Sequence, residues 1–264
     1  MNVLQAVILG AVQGATEFLP VSSSGHLVIG RELLGLTGVP VLFDVLLHIA
    51  TLVAVVVVLR RRVMDVLVGT VRYLVGKRDE TARAMARVAA IIVLATVVTG
   101  VVGVVLRELV NADSARTASA LFLVTAMLLV VSKTQRGTRS QTDLGVIDGI
   151  VIGLFQAVGV LPGISRSGAT IAAGLFRGLD RGQAGEFSFL LSIPAILGAL
   201  VLTAGDVDAL TAQLSVPALI AGCMAALIVG TASIVLLLRL LRRGRLYLFA
   251  LYLVPLGIYG LIAF

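Results

Sequence analysis

The sequence predicts an all-α polytopic membrane protein built from two inverted-topology repeats, with about six spanning helices and two re-entrant or broken helix pairs meeting at the midplane. Three observations predict it: apolar content, the placement of basic residues, and a self-similarity between the halves. Of 264 residues, 59% are hydrophobic and only 13% charged, with a mean hydropathy of +1.09. That lies far outside the range of soluble domains.

Apolar runs at residues 41–59, 88–106, 118–131, 187–203, 216–238 and 246–264 mostly approach the roughly 20 residues that a spanning helix needs. The third run is short. Residues 1–36 and 144–178 are also apolar, but Gly, Pro, Ser and charge interrupt them, so they read as broken or re-entrant helices. No Lys or Arg precedes Arg31, so the N-terminus lacks the basic flank of a signal peptide and is expected to stay in the mature fold. The only cysteine, Cys223, lies in an apolar run; it excludes an internal disulfide and a cysteine-based metal site.

A pI near 10.5 would suit nucleic acid, but the basic residues are placed as a membrane protein places them. Of the 21 Lys and Arg, 8 fall in residues 60–87, 3 in 133–143 and 4 in 239–245. These three stretches are expected to be cytoplasmic loops. Residues 107–116 are balanced in charge and residues 204–215 carry acids without a base, so both are expected outside, with Asp206 reachable from there.

The halves resemble each other when "GAVQGATEFLPVSSSGH" from Gly10 is laid on "GLFQAVGVLPGISRSGA" from Gly153. Gly10, Gln13, Ser22, Ser24 and Gly25 coincide with Gly153, Gln156, Ser165, Ser167 and Gly168. After a one-residue shift, "FDVLLHIA" from Phe43 parallels "FSFLLSIP" from Phe187. The charge count sends these last two segments through the membrane in opposite directions, so the repeat reads as inverted, a common build for membrane proteins. One transmembrane domain, 1–264, then comprises repeats of about 1–132 and 144–264, joined by a cytoplasmic loop at 133–143.

In each copy a Pro-containing turn leads into a Ser-Gly pair and a new helix. Serine is a favoured N-cap, and a helix start offers unpaired N–H groups at the positive end of its dipole, a setting suited to phosphate. Two such starts facing one cavity would grip a diphosphate through Ser22, Ser24 and Gly25 on one side and Ser165, Ser167, Gly168 and Thr170 on the other. Arg166 adds a planar, permanently charged fork that matches phosphate oxygens. Glu17 and His26 are ionisable groups in a segment expected to dip into the membrane, where such residues are rare and usually functional. Glu17 offers a cation ligand or a base, and His26 an acid/base or a nucleophile, with Ser23 the hydroxyl alternative. Gln13, one turn before Glu17, shares its helix face.

Taken singly, the serines and glycines read as caps or close-packing residues, and Arg166 reads equally well as a paired structural arginine. Asp44 and His48, at i and i+4, offer metal-ligand types but read first as a structural polar contact at a helix end. Asp148 and Glu186 read as structural residues near the inner interface. Glu17, His26 and Arg166 together point to function, because the repeat sets Arg166 next to the counterpart of the Ser-Gly pair beside His26.

At these residues the sequence resembles the undecaprenyl-diphosphate phosphatase family, also known as bacitracin-resistance proteins. One family signature, (Glu/Gln)-x-x-x-Glu followed by Phe-Leu-Pro-(Val/Ile)-Ser-Ser-x-Gly-His, matches Gln13, Glu17 and "FLPVSSSGH". The other, Pro-Gly-x-Ser-Arg-Ser-x-x-Thr, matches "PGISRSGAT" from Pro162 to Thr170. Similarity continues through "FDVLLHIATLVAV" and "GEFSFLLSIPAILGA" and covers essentially the whole chain. The resemblance implies a plasma-membrane enzyme that removes the terminal phosphate of a C55 polyprenyl diphosphate and so recycles the lipid carrier of cell-wall synthesis. It further implies an active site lined by Glu17, Ser23, His26, Ser165, Arg166 and Thr170, open to the outer face and dependent on Mg2+ or Ca2+. Many members carry Glu at the position of Gln13, which leaves Glu17 as the main metal or base candidate and Gln13 as a further ligand. The expected partners are the lipid substrate and membrane lipids, not nucleic acid, with a homodimer left open. A transporter of lipid phosphate or another anion is the alternative, because broken helices in inverted repeats are its usual build. A membrane scaffold is a weaker reading.

Overall fold

A computed structural model of the chain describes residues 1–36, 38–109, 114–203 and 214–264. The centres of both expected external segments, with Asp206, lie outside these. Among the described residues the chain forms eleven α-helices: α1 (Val3–Phe18), α2 (Ser23–Leu33), α3 (Val41–Val58), α4 (Arg60–Leu74), α5 (Glu80–Leu109), α6 (Ala115–Ser132), α7 (Val146–Val158), α8 (Arg166–Phe176), α9 (Arg181–Thr203), α10 (Val216–Arg242) and α11 (Leu248–Ala263).

Five of these, α3, α5, α6, α9 and α10, are long and apolar enough to cross a membrane. The sixth expected span is shorter than its apolar run: α11 has 16 residues and contains Pro255. At 1.5 Å per residue it reaches about 24 Å, against a hydrocarbon core of about 30 Å. Residues 60–87, expected as a loop, are mostly helical. Charge counting could not see the apolar stripe that folds α4 onto the first turns of α5, where Val66 is buried and a Cβ on Gly69 would run into the Met85 side chain.

Each of the two interrupted segments folds into a pair of short helices that pack on each other, α1 with α2 and α7 with α8. The break in the first pair has a local cause. Leu19 precedes Pro20 and is held extended, at φ −61° and ψ 141°, as a residue before proline prefers. Ser22 then takes φ 67°, the only positive value at a non-glycine among the described residues, a strained conformation kept where surroundings impose it. In the second pair Gly163 takes φ 100°, and any Cβ there would collide with the Ala118 carbonyl of α6.

Small residues let these pairs approach their neighbours. α1 lies on α10, where a Cβ on Gly10 would strike the Gly222 carbonyl, and α7 lies on α5, where one on Gly153 would strike the Ala95 carbonyl. Such small-residue seams drive helix association in lipid. At the edge rich in basic residues, Asp148 in the first turn of α7 accepts from Arg139 Nη2 at 2.9 Å, Arg177 Nε at 2.5 Å and the Gly145 N–H at 2.9 Å. Burial pushes its carboxyl up, but Arg139, the Gly145 N–H and Arg177 together bring it down to about 2. The structural reading of Asp148 holds: it ties both helices of the second pair to the 133–143 connection.

The tips of the two pairs meet inside the bundle. The Gly163 N–H donates to Ser22 Oγ at 3.0 Å, and Ser167 Oγ reaches the Leu19 carbonyl at 3.4 Å. Thr125 of α6 braces the second tip, donating to the Gly163 carbonyl at 2.8 Å and accepting from the Ser165 N–H at 3.1 Å.

Candidate active site

Where the tips meet, Glu17 sits at the end of α1, 8% exposed, and gathers the other polar groups. Its Oε1 is ion-paired with Arg166 from the first turn of α8. Its Oε2 accepts from Gln13 Nε2 at 2.9 Å and from Ser23 Oγ at 2.6 Å. Gln13 lies one turn earlier on the same face and is fully buried. Its own Oε1 has no hydrogen-bond partner. The fold thus joins Gln13, Glu17, Ser23 and Arg166, four residues drawn from both halves of the chain.

The two helix starts beside them are built alike. Ser22 caps α2 by accepting from the Gly25 N–H at 3.4 Å, and Ser165 caps α8 by accepting from the Gly168 N–H at 3.0 Å. Helix geometry leaves the first N–H groups without intrahelical acceptors. Among the described residues those of Ser23, Ser24, Arg166 and Ser167 meet no protein acceptor. Gly25 and Gly168 allow the tips to close, since a Cβ on the first would meet Phe122 and Gly163, and one on the second would meet Ser165 and Pro20.

Other sequence-marked residues have protein partners of their own. Ser165 Oγ and Ser167 Oγ stand 3.1 Å apart, and Ser22 Oγ and Ser24 Oγ 3.4 Å apart. Thr170 Oγ1 donates to the Arg166 carbonyl at 2.8 Å and pairs with Ser188 Oγ at 2.6 Å. His26 lies on α2 one turn after Ser23 but turns to α11. Its Nδ1 is 2.7 Å from the Ser22 carbonyl, and its Nε2 is 2.8 Å from the Tyr252 hydroxyl. A carbonyl only accepts, so Nδ1 carries the hydrogen and Nε2 accepts from Tyr252.

Of two further neighbours of this centre, sequence reasoning weighed His48 only as a metal ligand or a structural contact and passed over Tyr252. His48 brings its Nε2 to 3.2 Å from Glu17 Oε2, while the Asp44 carboxylate beside it pairs with Arg31 rather than sharing a ligand set with it. A histidine inside an expected span was the available signal. Tyr252 had no signal, being one tyrosine in an apolar helix whose packing the sequence does not disclose.

The chain matches the family described as bacitracin resistance protein BacA over residues 6–259. It belongs to that family. Among its relatives, the undecaprenyl-diphosphatase of Treponema denticola is 44% identical, covering 98% of this chain and 96% of its own. That of Desulforapulum autotrophicum is 40% identical over 100% and 99% of the two chains, and that of Desulfosudis oleivorans 43% identical over 97% of each. The resemblance carried by the two signatures therefore extends over nearly the whole BacA-family chain.

Proposed function

We propose that this protein hydrolyses undecaprenyl diphosphate to undecaprenyl phosphate and inorganic phosphate at the meeting point of the two tips. The observation that carries the mechanism is the 2.6 Å hydrogen bond from Ser23 Oγ to Glu17 Oε2, a nucleophile on its base, with the base held in turn by further partners. Membership in the BacA family and the names of the relatives support the substrate class.

Arg166 and the unpaired N–H groups of the two helix starts hold the diphosphate oxygens. Ser23 Oγ attacks the terminal phosphorus, its proton passes to Glu17, and the bridging P–O bond breaks to release the lipid monophosphate. Water then attacks the phosphoserine and gives a proton to His26 Nε2, which releases it to solvent as the product leaves. As phosphate leaves, Ser23 recovers its proton from Glu17.

The residues present also fit a divalent cation. Gln13 Oε1 is buried without a partner, and an amide oxygen beside a carboxylate is a hard-cation donor pair. Among the described residues no cluster of three or more His, Cys, Asp or Glu could hold a metal alone, so Mg2+ or Ca2+ would rest on Glu17, Gln13 and substrate oxygens. The ion supplies neutralisation of phosphate charge when bound.

The protein is multi-pass, and its basic edge belongs in the cytoplasm of a plasma membrane, with the active site opening to the outer face. The two halves descend from an inverted duplication, as the matching helix starts at Ser23 and Arg166 suggest. No observation favours the transport alternative.

The test is phosphate release by purified protein from undecaprenyl diphosphate, with and without Mg2+ or Ca2+, followed by phosphoenzyme trapping. Wild type is expected to release phosphate, and His26→Ala to accumulate phosphoserine. Binding without release under every metal condition sinks the enzyme reading, and phosphohistidine in wild type sinks this nucleophile assignment.

A further inference from the structure

We propose that His48 is a positioning residue for this reaction, holding the Glu17 carboxylate in the orientation in which it receives the Ser23 proton. The inference rests on the phosphatase reading and adds a residue that neither signature contains.

His48 is fixed from both ends. The Arg31–Asp44 ion pair ties the start of α3 to α2, and His48 lies one turn further along. Its Nδ1 is 2.7 Å from the Asp44 carbonyl, which can only accept, so Nδ1 donates there; Nε2, facing the Glu17 carboxylate at 3.2 Å, must donate as well, which makes His48 an imidazolium with both N–H groups in use. α10 holds the two backbones in place: a Cβ on Gly230 would lie 3.2 Å from the Phe18 ring and 3.2 Å from Thr51 Cγ2. Phe18 adjoins Glu17, and Thr51 follows His48 by less than one turn.

The carboxylate needs such a neighbour because its two oxygens have different tasks. Oε1 faces Arg166, and Oε2 faces Ser23. Both of those partners change during turnover: Ser23 loses its hydrogen on attack, and the Arg166 fork turns to substrate oxygens. Gln13, from the same helix, and His48, from another, stay on Oε2 throughout. Without His48 the carboxylate can rotate between its two partners, and misplacement of a catalytic group by about 1 Å can cost on the order of 100-fold in rate.

The experiment compares phosphate release by wild type, H48L, H48Q and H48N, each purified as a monodisperse species, with kcat and KM determined separately. Gln places an amide donor near the position of Nε2, whereas Asn places it near Nδ1, too short to reach Glu17. H48L and H48N are expected to lose about 10- to 100-fold in kcat with KM within about threefold, as for other supporting contacts to a reacting group, while H48Q stays within about fivefold of wild type. Gln and Asn are both polar and close to His in size, so their contrast survives even if H48L does not fold. Unchanged kcat in H48L or H48N, equal losses in H48Q and H48N, or a rise in KM alone overturns the inference. No release by wild type overturns the phosphatase reading and this inference with it; normal wild-type release beside an unaffected H48N overturns the inference alone.

Discussion

At the first tip Gln13, Ser22, Ser24 and Gly25 stand where the second has Gln156, Ser165, Ser167 and Gly168, yet Glu17, Ser23 and His26 face Val160, Arg166 and Ala169 in the same comparison. Of the shared residues, Ser22 and Ser165 cap the helices and the two glycines let the tips close. In the proposed mechanism the differing ones divide the reaction, with a base and a nucleophile on one side and a fixed cation on the other. Ser23 and Arg166 even hold the same place, the first residue of the second helix in each pair. One backbone device, used twice, is thus a scaffold into which opposite charges were placed.

The largest effects should come from the differing positions. Ser23→Ala and Glu17→Gln are each expected to lower kcat by about 10³-fold, within the range of general-base and nucleophile losses. Val160→Ala, at the place corresponding to Glu17, should leave kcat within about twofold. A comparable loss at Val160 would mean that the second tip also does chemistry, and the division of labour would be wrong. Arg166→Lys keeps the charge but not the fork and should cost about 100-fold. Full activity in that variant would reduce Arg166 to a counter-charge for Glu17.

The shared positions should move stability instead. Replacing an N-cap serine by alanine costs roughly 1 kcal/mol, the expected penalty for Ser165→Ala in thermal unfolding in detergent. Ser22→Ala should cost more, about 2 kcal/mol, because Ser22 Oγ also accepts the Gly163 N–H across the tips and its loss leaves a buried donor unpaired. Equal penalties would show that the tips are held together by packing rather than by this bond.

Much of this was legible before any coordinates. Pro20 and Pro162, with the Ser-Gly pairs after them, marked both breaks, and comparing "TEFLPVSSSGH" with "VLPGISRSGA" put an acid on one tip and a fixed cation on the other. The trio was only partly right in geometry: Glu17 and Arg166 meet, while His26 turns away to Tyr252. A sequence gives the face of a helix on which a residue lies, but not which neighbour fills that face. The same limit hid the contact of His48 with Glu17, while Asp44, its neighbour on the helix face, proved to belong to Arg31. It also hid α4, since a basic stretch reads as a loop until its apolar stripe finds α5.

Among the residues at the site the smallest expected effect is at Tyr252, and it tests the asymmetry most sharply. His26 has Ala169 as its counterpart, so its chemistry has no echo in the second tip. Its Nδ1 is committed to the Ser22 carbonyl, and only Nε2, covered by the Tyr252 hydroxyl at 2.8 Å, is free to act. Tyr252→Phe keeps the ring stacked on the imidazole, where the centroids lie 5.7 Å apart, and removes only that hydroxyl. If Ser23 is the nucleophile and His26 serves the water step, uncovering Nε2 should change kcat by no more than about fivefold, since one neutral hydrogen bond is worth about 1 kcal/mol. The trapped adduct should remain phosphoserine. Were phosphohistidine to appear once the hydroxyl is gone, Tyr252 would be the group that keeps a competing nucleophile occupied, and the first tip would hold two nucleophiles, with the protein choosing between them through α11.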